Sequence, residues 1–206
     1  MDPAATIAHV RAHWAGIEPN SPIYSLFFGG IRIVDARRED IGSKNSSGGR
    51  ILARLPVVPI HVNSKQILHG AVSAALIDWA GGMAIAAATG RNQTGVSVDI
   101  HVSYVSAARA GDELEIEAWV QRVGQSLAYT SVEIRLRPRP GQEEEKDDAA
   151  AADAPVRTRG AVVAAGSHTK YVAYGEARKA VEKPKTLKQS LDATIDIAQQ
   201  QLGDSA

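Results

Sequence analysis

The chain has 206 residues, 44% of them hydrophobic, which suits one domain with a sizeable core and excludes a wholly disordered protein. Lys plus Arg and Asp plus Glu are both 23, so no basic excess points to nucleic acid as a partner. Cysteine is absent, which removes disulfides, thiolate metal sites and a cysteine nucleophile, and fits a reducing compartment, cytoplasmic or mitochondrial.

The chain opens on Met1-Asp2-Pro3 with no basic start before an apolar run, so a secretory signal is not expected. Ala4–Trp14 has helical propensity and stops ahead of Pro19 and Pro22, which predicts a short leading helix. Leu26–Ala36 alternates around Ile31 and Ile33 and is predicted as a strand. Ser43–Arg50 reads as a polar turn, and Arg50–Leu55 as a second strand broken by Pro56 and Pro59. Ala71–Ala88 is eighteen residues with one charge, Asp78, near its middle. A central Asp costs roughly 2.5–3.5 kcal/mol in a bilayer, which so Ala- and Gly-rich a helix would not offset. The spacing therefore predicts a core helix over about His69–Thr89, with Gly90 as its stop, and no membrane span.

Alternation is clearest after the helix. Val96, Val98, Ile100, Val102 and Tyr104 form one face of a strand, and Ser97, Asp99, His101 and Ser103 the other. Leu114, Ile116, Ala118 and Val120 define the next strand, Ala128, Thr130, Val132, Ile134 and Leu136 another, and a last one runs from about Arg157 to Val172. Ala110-Gly111-Asp112 and Val123-Gly124-Gln125-Ser126 are the turns between them. Strands joined by short turns after one buried helix give an α+β domain, an antiparallel sheet curled around that helix. The expected organisation is an N-terminal helical extension over residues 1–23, a main domain over 24–174 and a tail over 175–206. Residues 138–155 form an acidic, low-complexity loop, and Leu187, Leu191, Ile195 and Ile197 give the tail a weak helical pattern.

Asp78 is the first candidate for chemistry, because a carboxylate in an apolar helix must find a partner, water or a task. Gly70 lies where the helix begins, where free N–H groups and the positive end of the helix dipole can hold a carbonyl oxygen as charge develops on it. Asn63 and His69 stand beside it in sequence. His9 and His13 share one helix face, but Val10 rather than Glu follows His9, so the metalloprotease pattern fails and solvent-facing histidines are expected. Glu113, Glu115 and Glu117 read as a solvated strand face. Ser103, Ser106 and Ser126 lack the Gly-x-Ser-x-Gly elbow of serine hydrolases.

Asn63, then Leu68-His69-Gly70, then Asp78, then Gly95-Val96-Ser97-Val98-Asp99, together resemble the hotdog-fold acyl-CoA thioesterases of the PaaI type. The resemblance runs from about Val62 to Val172 and includes Tyr104-Val105-Ser106, Gly124-Gln125-Ser126-Leu127-Ala128 and Gly166-Ser167-His168-Thr169-Lys170. It implies a hotdog fold and hydrolysis of an acyl-CoA without metal or bound cofactor, coenzyme A entering only as part of the substrate. The Gly70 amide, with Asn63, would polarise the thioester carbonyl; Asp78, assisted by Ser97, would activate water; His69 would order the helix entry. Coenzyme A would lie over Tyr104, Ser106 and Arg109 and over Arg122, Gly124, Gln125 and Ser126, with Lys170 nearby. Ala71 stands where a second glycine is usual, which would narrow the acyl entrance, and Gln125 replaces a basic residue common in that turn. The alternatives are a hotdog dehydratase or hydratase acting on acyl thioesters, which needs a proton-transferring histidine, and a non-catalytic acyl-CoA-binding module. Gly70 and Asp78 are eight residues apart, roughly 12 Å along one helix, too far to serve one thioester. The expectation is therefore a two-fold homodimer, or a pair of such dimers, with shared sites.

Overall fold

The computed structural model describes residues 2–43, 46–138 and 160–173. Most of the acidic loop and the tail with its weak helical pattern lie outside the described residues.

Helix α1 spans Pro3–Ile17, with proline in its first turn where the missing N–H costs nothing. Thr6, Val10, His13 and Trp14 are its buried residues, one stripe at helical spacing that packs on the first strand and on the central helix. His13 is therefore not solvent-facing as expected; it is 8% exposed, and the Nε2 atoms of His9 and His13 are both buried without a hydrogen-bond partner among the described residues.

The strand predicted from Leu26 begins later. Pro22 starts a short helix, α2 (Pro22–Phe28), and Gly29-Gly30 ends it, Gly30 having φ of 86°. Strand β1 then runs Arg32–Ser43 and pairs antiparallel with β2, Ser46–Pro56. The polar stretch predicted as a turn thus belongs mostly to strand. Glycine at position 49 is what lets β2 lie directly on the central helix: a Cβ there would sit 2.4 Å from the Ala88 nitrogen.

The central helix, α3, spans Gly70–Thr89 and is buried around most of its circumference. By length and composition it could cross a membrane; its apolar surface is instead covered by the sheet. Gly90 closes it in the left-handed conformation, φ 68°, with its N–H on the Ala86 carbonyl.

Strands β3 (Val96–Tyr104), β4 (Glu113–Val123), β5 (Leu127–Leu136) and β6 (Val162–Tyr171) complete one antiparallel sheet of order β1-β2-β4-β5-β6-β3, wrapped around α3. Leu114, Ile116, Ala118 and Val120 of β4 and Ala128, Thr130, Val132 and Ile134 of β5 face inward, as their alternation predicts. The glutamates of β4 are not a bare solvated face. Glu115 pairs with Arg54 directly across the ladder, Glu117 with Arg50, and Glu113 with Arg32 and Arg137. β3 differs most from its pattern: it is the sheet edge, and only Val102 is half-buried, with Val96 and Val98 67% and 60% exposed.

Candidate active site

Helix α3 carries two polar groups, one at its start and one at Asp78 in its third turn. At the start, His69 caps the helix: its Nδ1 accepts from the Ala71 N–H at 3.0 Å, and its carbonyl accepts from Val72 and Ser73. Among the described residues nothing engages the Gly70 N–H, so that donor stays free at the positive end of a 20-residue helix. The Tyr104 ring covers Gly70, its hydroxyl donating to the Gly70 carbonyl at 3.3 Å. A Cβ on Gly70 would touch that ring at 3.3 Å. Asn63 shapes the preceding loop, its Oδ1 accepting from the N–H groups of Lys65 at 2.9 Å and Ile67 at 3.4 Å. Its amide nitrogen is left able to donate.

Asp78 lies further along the helix with its side chain 39% exposed. Its Oδ1 accepts from the Ser97 hydroxyl at 3.0 Å and from Lys170 Nζ at 3.4 Å. His168 Nε2 is 3.0 Å from Ser97 Oγ and 3.4 Å from the same Asp78 oxygen. Because Ser97 donates to Asp78, its oxygen accepts from His168, which places the imidazole proton on Nε2. A relay His168 Nε2–H to Ser97 O–H to Asp78 Oδ1 results. All these contacts fall on Oδ1; among the described residues none falls on Oδ2.

His168 is fully buried, and its Nδ1 has no partner among the described residues. The ring fits because Gly81, three residues after Asp78, has no side chain: a Cβ there would be 3.0 Å from Nδ1 and 2.7 Å from Thr130 Oγ1. Burial first, and the Lys170 charge second, hold the imidazole down to about 4 against the opposing pull of Asp78. The consequence for stability has a definite sign. As pH falls below 6.5 the unfolded chain takes up this proton while the folded chain does not until about 4. Stability should therefore fall across that window, by up to about 1.4 kcal/mol per pH unit for this one group. His13 and His61, both lowered by burial, act in the same direction. Urea unfolding at pH 7 and pH 5 checks this, with a shallower pH dependence expected for His168→Gln; equal slopes in parent and variant would remove His168 from the account.

Sequence reasoning quoted His168 but gave it no role. The available signal was its position: His168 and Lys170 are two apart on β6, hence on one face, and both are buried. Lys170, expected near coenzyme A, stands against Asp78 and is 7% exposed.

The two segments expected to hold coenzyme A lie at opposite ends of the sheet within the chain. Tyr104 pairs with Ala164 at one end of β6, and Ser106 donates to the Val162 carbonyl at 2.6 Å. The β4–β5 turn lies at the other end, where the Ser126 carbonyl accepts from the Val172 N–H and Leu127 pairs with Tyr171. From Tyr171 to Val162 the strand spans roughly 30 Å. Arg109 closes its own turn, its N–H donating to Asp112 at 2.8 Å, and Arg122, Gly124 and Gln125 are exposed at the opposite hairpin. Gly70 shares its end with Tyr104, whereas Asp78 shares its end with Ser97, Lys170 and the β4–β5 turn.

The pattern of the family described as thioesterase superfamily matches residues 65–140. Human acyl-coenzyme A thioesterase 13 is 36% identical over 90 residues, 44% of this chain, and the match spans 64% of the human protein's length. The mouse protein of the same name is 31% identical over 123 residues, covering 60% of this chain and 73% of its own. The chain belongs to the thioesterase superfamily. The structure of zebrafish thioesterase superfamily member 2 overlays with a TM-score of 0.58 at 24% identity, covering 83% of this chain and 98% of that one. That likeness shows the superfamily's hotdog arrangement, one long helix held in a curled antiparallel sheet.

Proposed function

We propose that the protein is an acyl-CoA thioesterase that hydrolyses its substrate to a free acid and coenzyme A in sites shared across a two-fold dimer. One observation carries the reading: Asp78 is fixed through Oδ1 by Ser97 and Lys170 while, among the described residues, no contact falls on Oδ2. Such a carboxylate is oriented to accept a proton from water. The free Gly70 N–H and the Asn63 amide supply the complementary donors for a carbonyl oxygen as it becomes negative. Water oxygen attacks the carbonyl carbon and its proton passes to Asp78; collapse of the tetrahedral intermediate breaks the C–S bond, and that proton goes to the leaving sulfur. Ser97 and His168 act as positioning residues, holding Asp78 in one rotamer. Lys170 acts with them, its Nζ donating to Asp78 Oδ1.

The placement of the two groups supports sharing between chains. The carbonyl donors and Tyr104 sit at one end of the sheet, Asp78 and the β4–β5 turn at the other. A two-fold partner brings one chain's Gly70 end to the other chain's Asp78 end, and with it both halves of the coenzyme A surface. The exposed edge strand β3, carrying Val96, Val98 and Ile100, supplies an apolar, unpaired ladder for that contact. A hydratase would need a histidine free to exchange a proton with substrate. His168 is fully buried behind Ser97, and the cap bond from Ala71 leaves His69 only Nε2 for such an exchange. Thiol release from a panel of acyl-CoAs, read with a colorimetric thiol reagent, tests the reading. Turnover of at least one member is expected; no release from any, with enoyl-CoA hydration instead, would replace the hydrolase by the hydratase.

A further inference from the structure

Tyr104 brings to the carbonyl end of the site a hydroxyl that the fold does not need. It is the last residue of β3, and the backbone on both sides of it is fixed. Tyr104 itself pairs with Ala164, and the Val105 and Ser106 N–H groups donate to the Val163 carbonyl at 2.9 and 3.2 Å. The Ala108 carbonyl accepts from the Leu68 N–H at 2.8 Å, which ties the same segment to the loop that enters α3. The ring so aimed at Gly70 is 62% exposed. Among the described residues its hydroxyl makes one hydrogen bond, to the Gly70 carbonyl at 3.3 Å, where about 2.7–2.8 Å is usual for such a pair. That carbonyl lies in the first turn of α3, where helix geometry already gives it the Ala74 N–H. The Tyr104 bond is surplus, and the hydroxyl can leave it at little cost.

The missing side chain at residue 70 is what lets the phenol come so near. A Cβ there would lie 3.3 Å from ring atom Cε1 and 3.4 Å from both Cζ and the hydroxyl oxygen. Cβ and N stand roughly 2.5 Å apart across any Cα, so the hydroxyl oxygen is no more than about 6 Å from the Gly70 nitrogen. Two donors that share one oxyanion each lie about 2.7–3.1 Å from it, and so no more than about 6 Å from each other. The Gly70 N–H and the Tyr104 O–H meet that limit.

We propose that the Tyr104 hydroxyl is a further catalytic donor, turning from the Gly70 carbonyl to the thioester oxygen as that oxygen becomes negative. The inference rests on the thioesterase reading and adds to it a donor from the same chain as Gly70. The phenol keeps its proton throughout; it donates a hydrogen bond, and no covalent bond forms or breaks there. Contact with coenzyme A alone would act on ground state and transition state alike and show in KM. A donor engaged only as charge develops shows in kcat.

Tyr104→Phe separates the two, because it keeps the ring and removes the hydroxyl from an exposed position. The melting temperature should not move. With an acyl-CoA that the parent turns over, kcat should fall at least about tenfold while KM stays within about twofold, short of the roughly 10²–10³ lost with an enclosed donor. Binding of two non-hydrolysable coenzyme A analogues gives a second readout: a trifluoromethyl ketone, whose hydrate mimics the tetrahedral intermediate, and a thioether with no carbonyl. The ketone should lose affinity by about the factor lost in kcat/KM, and the thioether should bind within about twofold of the parent. A raised KM with kcat unchanged would leave Tyr104 as a coenzyme contact and overturn the donor. So would unaltered kinetics, an equal loss for both analogues, or a lowered melting temperature with thioether binding lost. A parent inactive on every thioester would overturn the hydrolase reading and the donor with it, an outcome distinct from an active parent whose Tyr104→Phe variant keeps its kcat.

Discussion

Asp78→Asn should lower kcat by about 10²–10⁴ while leaving acyl-CoA binding nearly intact. The substitution keeps volume and a hydrogen-bonding oxygen for Ser97, so the site should not collapse. It removes the charge and the basicity on which proton transfer depends. Lys170 would then face a neutral amide while 7% exposed, and a modest loss of stability is expected beside the kinetic one. Ser97→Ala should cost less than Asp78→Asn, because it loosens the carboxylate without removing it. Steady-state kinetics with a thiol reagent, together with binding of a non-hydrolysable acyl-CoA analogue, separate the two effects. An Asp78→Asn enzyme within a few-fold of the parent would exclude Asp78 as the base.

The second large effect concerns two inactive variants mixed together. Asn63→Ala removes a donor at the carbonyl end, and Asp78→Asn the base at the other end. If each site takes its donors from one chain and its base from the partner, a mixed dimer has one site with both lesions and one with neither. Random pairing makes roughly half the dimers mixed, each with one of two sites intact, so about a quarter of parental activity should return. The geometry makes this the expected result: eight residues of helix put the Gly70 N–H and Asp78 roughly 12 Å apart in one chain. A base works within about 3 Å of its proton, or one water further.

The long central helix and the middle strands were legible in the sequence because their burial patterns are complete within one chain. Gly90 after Thr89 and the alternation of β4 and β5 depend only on local packing. Asp78 was legible for a related reason, a single charge in an otherwise apolar run. β3 was legible as a strand over Val96–Tyr104 but not as an edge: the face of Val96, Val98 and Ile100 is exposed, and a period of two reports alternation and not what covers each face. Leu26–Phe28 read as strand because three apolar residues carry no period, and the decisive signals were Pro22 before them and Gly29-Gly30 after. A role for His168, and the place of Lys170 beside Asp78, escaped because that grouping is assembled across the fold. Ser97, Asp78 and these two come from β3, α3 and β6, and the register Ser97 to Lys170 brings them together. The small size of Gly81, which admits the buried imidazole, has no meaning until the strand above it is placed.

The most direct measurement is thiol release by Asn63→Ala and Asp78→Asn chains refolded together, with mixed dimers confirmed by native mass spectrometry on tagged chains. The account predicts about a quarter of parental kcat from a mixture whose components are each nearly inactive. A mixture that stays inactive although mixed dimers are present would contradict it, and would place the carbonyl donors and the base within the same chain.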